Sequence, residues 1–331
     1  MVMSEISKKR SKNYYCFWGL FIILIIAGII AVVLNRRVIY DWYKGVTYNP
    51  STEMLSIRDK LNLTSDGEFL FNAVQPRLDE AKDFNQNCRQ DESEMAVLGC
   101  YTMGDIHVYN IVAEELDGIR ELTTAHELLH AKWDRMSEDE RKELSASLTQ
   151  VFDSNRELLE SEIELYGTNE KQEELYVRVG TEVKDLPDDL EKHFAEIFRD
   201  QDAVVDFYDG YIAVFNEIKS NMETLLVDIE ALKGEISVRT TEYESQAEQL
   251  EAEIVSFNSC AEVSGCFETK TEFDNRRNQI LGKQDNLKLL NSEIDDLIKE
   301  YNKKVDEYNA NVIESRKLQD MVNSNSEVDG I

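Results

Sequence analysis

The sequence predicts a mostly helical chain with a small α+β portion: a single N-terminal transmembrane helix, an α+β unit, and a long antiparallel coiled-coil hairpin. Three observations carry this. Residues Tyr14 to Leu34 hold no charged side chain. Only 3 prolines and 14 glycines punctuate 331 residues, which favours long helices over a many-turned β fold. Beyond Phe207 apolar residues recur every seven positions. The expected layout is a cytoplasmic tail over 1–13, the membrane helix over 14–34, a linker over 35–50, the α+β unit over 51–205, the hairpin over 206–320 and a flexible tail over 321–331.

The apolar run includes Phe21-Ile22-Ile23-Leu24-Ile25-Ile26 and matches the ~20 residues that span a bilayer as a helix. Tyr14, Tyr15 and Trp18 stand at one end, with Tyr40 and Trp42 just past the other, as an aromatic belt would. A cleavable signal peptide would have a shorter apolar core, and no small-x-small cleavage site precedes Asn35-Arg36-Arg37. Lys8, Lys9, Arg10 and Lys12 precede the run and Arg36, Arg37 and Lys44 follow it. The excess of one basic residue points to a cytoplasmic amino terminus and an extracytoplasmic remainder.

The cysteines agree with that side. Cys16 falls in the apolar run, and the others form two local pairs, Cys88 with Cys100 and Cys260 with Cys266, as suits an oxidising compartment. Zinc ligation is the rival reading, but neither pair has the two-residue gap of a zinc knuckle. Four separate thiols are the remaining alternative. The formal net charge of −30 repels phosphate backbones, so nucleic acid is not an expected partner. One apolar run gives little support to a pore or transporter.

Within 51–205, Ser51 to Leu61 reads as a short helix, Glu68 to Phe71 as a strand, and Pro76 to Asn85 as a helix. Gly104 to Ile111 alternates like a strand, with Ile106, Val108 and Asn110 on one face. A helix is expected from near Leu122. Ser137 and Glu140 form a capping box that opens the next. Another runs from about Asn169 to Gly180, which reads as its C-terminal cap, and Pro187 sits where helices begin.

The chemistry concentrates in His126-Glu127-Leu128-Leu129-His130. Residues i and i+4 share one helix face, so both imidazoles can point at one ion. Glu127 projects beside them as a general base for water at that ion, the arrangement of a hydrolytic zinc site. The flanks Thr123, Thr124, Ala125, Leu128, Leu129 and Ala131 are uncharged, as for a helix buried around its ligands.

At these residues the chain resembles the gluzincin branch of the zincin metallopeptidases. That resemblance implies a zincin-like fold over 51–205, a bound Zn2+, a protein or peptide substrate, and a glutamate from a later helix as third ligand. The family setting is Asn-Glu-x-x-small. Glu173-Glu174-Leu175-Tyr176-Val177 matches it with Glu173 for Asn and Val177 for the small residue. Glu174 is the expected ligand and Glu182, eight residues on, the alternative. Glu174 is preferred because Gly180 reads as a helix end. The run Leu98-Gly99-Cys100-Tyr101 and the later Leu190-Glu191-Lys192-His193-Phe194 are similar to membrane-anchored bacterial proteins with this motif, which implies a cell-envelope setting. The zincin likeness makes Ile106 to Ile111 the candidate edge strand for substrate. His193 is a candidate oxyanion donor and His107 a weaker one. The competing class is a non-catalytic envelope interaction protein with a metal-stabilised base, for which Glu127 would have no purpose.

In the hairpin, Phe215, Met222, Ile229, Ile236, Tyr243, Leu250 and Phe257 recur at sevens, as do Phe273, Ile280, Leu287, Ile294, Tyr301 and Tyr308. Ile218, Leu225 and Leu232 add a second seam position to the first helix, and Leu290 and Leu297 to the other. Folding near Gly265 matches Phe257 with Phe273, Leu250 with Ile280 and Ile236 with Ile294. A Cys260–Cys266 disulfide would staple the tip. The arm would reach roughly 60 Å at 1.5 Å per residue and would hold a protein partner or set a distance.

Overall fold

Apolar side chains at helical spacing build most of the chain, and the computed structural model describes residues 2–88, 97–164, 166–167 and 170–325. The helices in chain order are α1 (Val2–Leu34), α2 (Arg36–Thr47), α3 (Thr52–Lys60), α4 (Ser65–Val74), α5 (Ala81–Asn87), α6 (Ile119–Arg135), α7 (Glu138–Ser154), α8 (Arg156–Ile163), α9 (Lys171–Glu182), α10 (Asp188–Phe194), α11 (Gln201–Ala261) and α12 (Lys270–Val322). Three short strands, β1 (Arg77–Asp79), β2 (Gly99–Thr102) and β3 (Asp105–Tyr109), make one sheet in the order β1-β3-β2. The chain is thus mostly α with a small sheet. It divides into two compact units. One holds the residues up to Ile212 together with those from Asp320, and the other spans Ala213–Gln319.

Local signals set the helix starts in the first unit. Ser51 and Thr64 cap α3 and α4 by accepting hydrogen bonds from the amides of Met54 and Gly67. Ser137 and Glu140 form the expected capping box on α7. The core gathers Phe71, Leu128, Leu129, Tyr176, Val177, Phe194 and Phe198, each at most 1% exposed.

The structure corrects four local expectations. Glu68–Phe71 belongs to helix α4 and not to a strand. Gly67, Leu70, Phe71 and Val74 are all buried, a helical spacing that the short run Glu68–Phe71 conceals. Pro76–Asn85 is not one helix. Arg77–Asp79 pairs in parallel with β3, Arg77 opposite His107 and Asp79 opposite Tyr109, and only then does α5 begin. The helix expected from Leu122 starts at Ile119. The one expected from Asn169, which lies outside the described residues, does not stop at Gly180 but continues to Glu182.

The described end of the tail is hydrogen-bonded to α5. Ser324 donates its hydroxyl to the side-chain carbonyl of Asn85 at 2.6 Å, and Asn85 returns an N–H to the Ser324 carbonyl at 3.2 Å. Residues 326–331 of the expected tail lie outside the described residues.

Helix α1 contains the expected span Tyr14–Leu34, with the side chains of residues 2–16 and 19 outside the described set. Among the described residues no single helix is long and apolar enough to cross a membrane. The pair Leu20–Leu34 and Arg36–Thr47 is so together by length and composition, with a bend of 68° between them.

In the second unit, α11 and α12 run antiparallel. Phe257 meets Phe273 with ring centroids 5.1 Å apart, and Asp228 holds Lys304 at 2.8 Å. Ile218, Leu225, Leu250, Leu290 and Ile294 are buried there, each at a position that the heptad pattern selects. Cys260–Cys266 closes the tip and Cys88–Cys100 closes the segment before β2, so both expected disulfides are present.

Candidate metal centre

Helix α6 presents its buried face to α9 and to the sheet. Thr123, Thr124, Ala125, Glu127, Leu128, Leu129 and Ala131 are all buried. The two threonine hydroxyls are satisfied by carbonyls one turn back, those of Ile119 and Arg120. Such a face has few charges to offer: Glu121, which pairs with Lys60 at 2.8 Å, and then His126, Glu127 and His130.

Helix α9 lies close against α6 because Gly180 sits at the crossing. A Cβ at Gly180 would fall 2.5 Å from Leu129 Cδ1 and 2.6 Å from Phe194 Cε1. The glycine is therefore a packing contact inside the helix and not its cap, which is why the expected stop at Gly180 fails. Tyr176, fully buried one turn earlier, stacks between Trp133 and Phe194 with centroids at 5.1 and 5.2 Å. Gly180→Ala is expected to destabilise the unit by about 1–3 kcal/mol despite the better helix propensity of alanine, because overpacking must displace Leu129 or Phe194. Chemical denaturation measures this, and unchanged or higher stability would mean that the crossing has room.

The packing brings Glu174 beneath the two histidines. One donor atom each from His126, His130 and Glu174 lies within 4.8 Å of the others, so this group could hold a metal ion. Glu174 is 2% exposed. Its Oε2 is 3.6 Å from His130 Nε2 and its Oε1 is 3.9 Å from His126 Nε2. The structure does not bring Glu182 into this group. Eight residues separate the two glutamates, a rise of ~12 Å and a rotation of about 80° on one helix, so the alternative does not share the Glu174 position. Arg178 stands between them. Its Nε donates to Glu174 at 2.7 Å and its NH1 to Glu182 at 2.9 Å, so one cation is shared by two buried carboxylates.

Glu173 has a part of its own. His130 Nδ1 donates to its carboxylate at 2.8 Å, which leaves Nε2 of that ring for a metal. The two imidazoles are shifted in opposite directions. Burial, with the nearby charges of His130 and Arg178, pushes His126 well below its ordinary range. Burial also pulls His130 down, but the Glu173 hydrogen bond and the charges of Glu127, Glu174 and Glu173 outweigh it, so His130 lies above its ordinary value.

Glu127 is 6% exposed and faces strand β2. A Cβ at Gly99 would fall 2.9 Å from Glu127 Cγ and Oε1, and 2.5 Å from Thr123 Cγ2. The strand backbone therefore rests directly on the candidate base. This corrects the edge-strand expectation. Ile106–Ile111 contains β3, which is paired on both sides and has no edge to add to. The strand at the edge beside Glu127 is β2.

His193 is placed against Tyr176, whose hydroxyl donates to its Nε2 at 3.0 Å. Burial, ahead of the charge of Lys132, lowers this histidine's pKa. The structure does not bring His193 into the His126, His130 and Glu174 group. His107 is buried and donates from Nδ1 to Asp79 at 2.6 Å, across the β1–β3 pair.

No family model, curated protein or solved structure matches this chain. The geometry of the site therefore carries the functional argument alone.

Sequence reasoning missed Glu173, Arg178 and Gly99. The signal for Arg178 was its i+4 spacing from Glu174 and its i−4 spacing from Glu182. Glu173 was noted only as a departure from a family pattern. Gly99 gave no signal, since its contact depends on the sheet docking against α6.

Proposed function

We propose that this chain is a membrane-anchored zinc metallopeptidase with a gluzincin-type ligand set of His126, His130 and Glu174 and with Glu127 as general base. The observation that carries the reading is the convergence of two imidazoles and a buried carboxylate with a second buried glutamate at hand. The donor set fits zinc. Ligand atoms at 2.0–2.2 Å from a tetrahedral ion stand about 3.3 Å apart, and here the three donors lie within 4.8 Å of one another, with His130 Nε2 3.6 Å from one Glu174 oxygen and His126 Nε2 3.9 Å from the other. Both distances are longer than a hydrogen bond, so neither Nε2 is hydrogen-bonded to Glu174.

Zinc, when bound, polarises the scissile carbonyl and lowers the pKa of water toward ~7. The rest falls to the side chains. Glu127 accepts the proton of the attacking water and returns it to the leaving amine. Glu173 fixes the ring of His130. Arg178 holds Glu174 in position. The β2 edge offers backbone groups to an extended peptide next to Glu127. Gly99→Ala should then cut peptide hydrolysis by about tenfold or more while zinc stays bound, because a misplacement of ~1 Å at a catalytic group costs on that scale. Loss of zinc in that variant would mean that Gly99 serves the fold and not the base.

The same reading places α1 in the cell membrane with the amino terminus in the cytoplasm and the metal-binding unit outside, in keeping with two disulfides. Its substrate is a protein or peptide, and the α11–α12 arm binds a protein partner. The test is metal content. Full-length protein purified in detergent should carry one zinc per chain, and His126→Ala and His130→Ala should each carry almost none. Metal retained in both variants would overturn the assignment.

A further inference from the structure

Helix α2 is amphipathic the wrong way round for a soluble domain. Its two buried residues, Asp41 and Lys44, are both charged, while Arg36 and Arg37 at its start are exposed. Arg135 grips Asp41 through two hydrogen bonds of 3.0 Å, with both side chains largely covered. Lys44 donates to the Gly104 carbonyl at 2.8 Å and pairs with Asp105, and Arg37 pairs with Asp134. Positions 37, 41 and 44 form one stripe, and this stripe faces the domain. The opposite stripe is apolar and bare. Val38, Ile39, Trp42, Tyr43 and Val46 are 59, 45, 59, 59 and 60% exposed. A monomeric soluble protein seldom leaves such a contiguous patch in water.

We propose that this face is a lipid-contact surface. Helix α2 lies in the headgroup region of the bilayer, with its apolar stripe toward the acyl chains and its polar stripe clamped to the domain. Three observations commit the occupant to lipid. The face follows closely on the apolar run of α1, with only Asn35, Arg36 and Arg37 between Leu34 and Val38. The 68° bend turns α2 away from the α1 axis and toward the plane in which an interfacial helix lies. The composition is that of a membrane interface, with Trp42 and Tyr43 on the stripe and Tyr40 at its border. A fourth side chain agrees. Met103, fully exposed at the tip of the β2–β3 turn, stands beside the Gly104 carbonyl that Lys44 holds. The clamp therefore fixes the domain, and not just the helix, against the bilayer. This inference rests on the reading of α1 as a membrane anchor.

The test is tryptophan quenching by brominated lipids in full-length protein reconstituted into phosphatidylcholine–phosphatidylglycerol vesicles. The chain has 3 tryptophans, of which Trp133 is 4% exposed and serves as background. In Trp18→Phe the remaining lipid-accessible reporter is Trp42. Its emission should be quenched more by lipids brominated near the headgroup than by those brominated near the chain end, and the quenching should fall at least about threefold in Trp18→Phe/Trp42→Phe. In Trp42→Phe, quenching of Trp18 reports the anchor separately. Quenching of Trp18 without quenching of Trp42 overturns the lipid-contact face and leaves the anchor standing. Stronger quenching of Trp42 by the deep bromines also overturns it, since α2 would then continue the span. Absence of quenching at both tryptophans overturns the inference and the anchor together.

Discussion

Glu127→Gln is expected to bind zinc as the parent does and to lose peptide hydrolysis by about 10²–10⁴-fold, the usual contribution of a positioned general base. Glutamine keeps the size and the hydrogen-bonding reach of the side chain but cannot take a proton from water. The substitution is conservative here for a structural reason. Glu127 projects from α6 against β2, with Gly99 so close that a larger change would move the strand. Because Glu127 is not among the three grouped donors, metal content should not change. Single-turnover hydrolysis at matched zinc occupancy measures the effect. Parental activity in the variant would make Glu127 a buried structural glutamate and would remove it as the general base.

Glu174→Ala is expected to weaken zinc binding by more than about 100-fold, beyond the 10–100-fold typical of a residue that merely supports a ligand. Glu173→Ala should fall within that supporting range, since it orients His130 without joining the group. Glu182→Ala should change affinity least, because its contact with the site runs through Arg178, which keeps Glu174 as a partner. Competition against a fluorescent zinc chelator ranks the three. If Glu182→Ala proved the most damaging, the third ligand would have to be reassigned.

How far the sequence could be read depends on the range of each interaction. His126, Glu127 and His130 were legible because i,i+4 spacing on a helix fixes which side chains converge before any tertiary contact forms. The capping box at Ser137 and Glu140, the heptad seam of α11 and α12, and the two local disulfides share that property. Glu174 was legible as a candidate, but the reason for preferring it failed. Gly180 does not end the helix, and Glu182 is set apart by rise and rotation along a continuous one. That glycine could be understood only once Leu129 and Phe194 were seen to occupy the space of its missing Cβ. Strand β1 was hidden for a similar reason, since Arg77–Asp79 becomes extended by pairing with residues some thirty positions away. The inverted polarity of α2 was hidden as well. Its charges read as an ordinary linker, because the burial of Asp41 and Lys44 depends on Arg135 and on the β2–β3 turn far along the chain.

The central claim is that a single metal ion at His126, His130 and Glu174 drives peptide-bond hydrolysis. The most direct measurement is digestion of a peptide library by the full-length protein after its metal has been removed and again after zinc has been added back in steps. Cleavage should vanish on removal and return in proportion to added zinc, levelling off at one equivalent per chain. Cleavage that survives metal removal, or that stays absent with one zinc bound, would contradict the account.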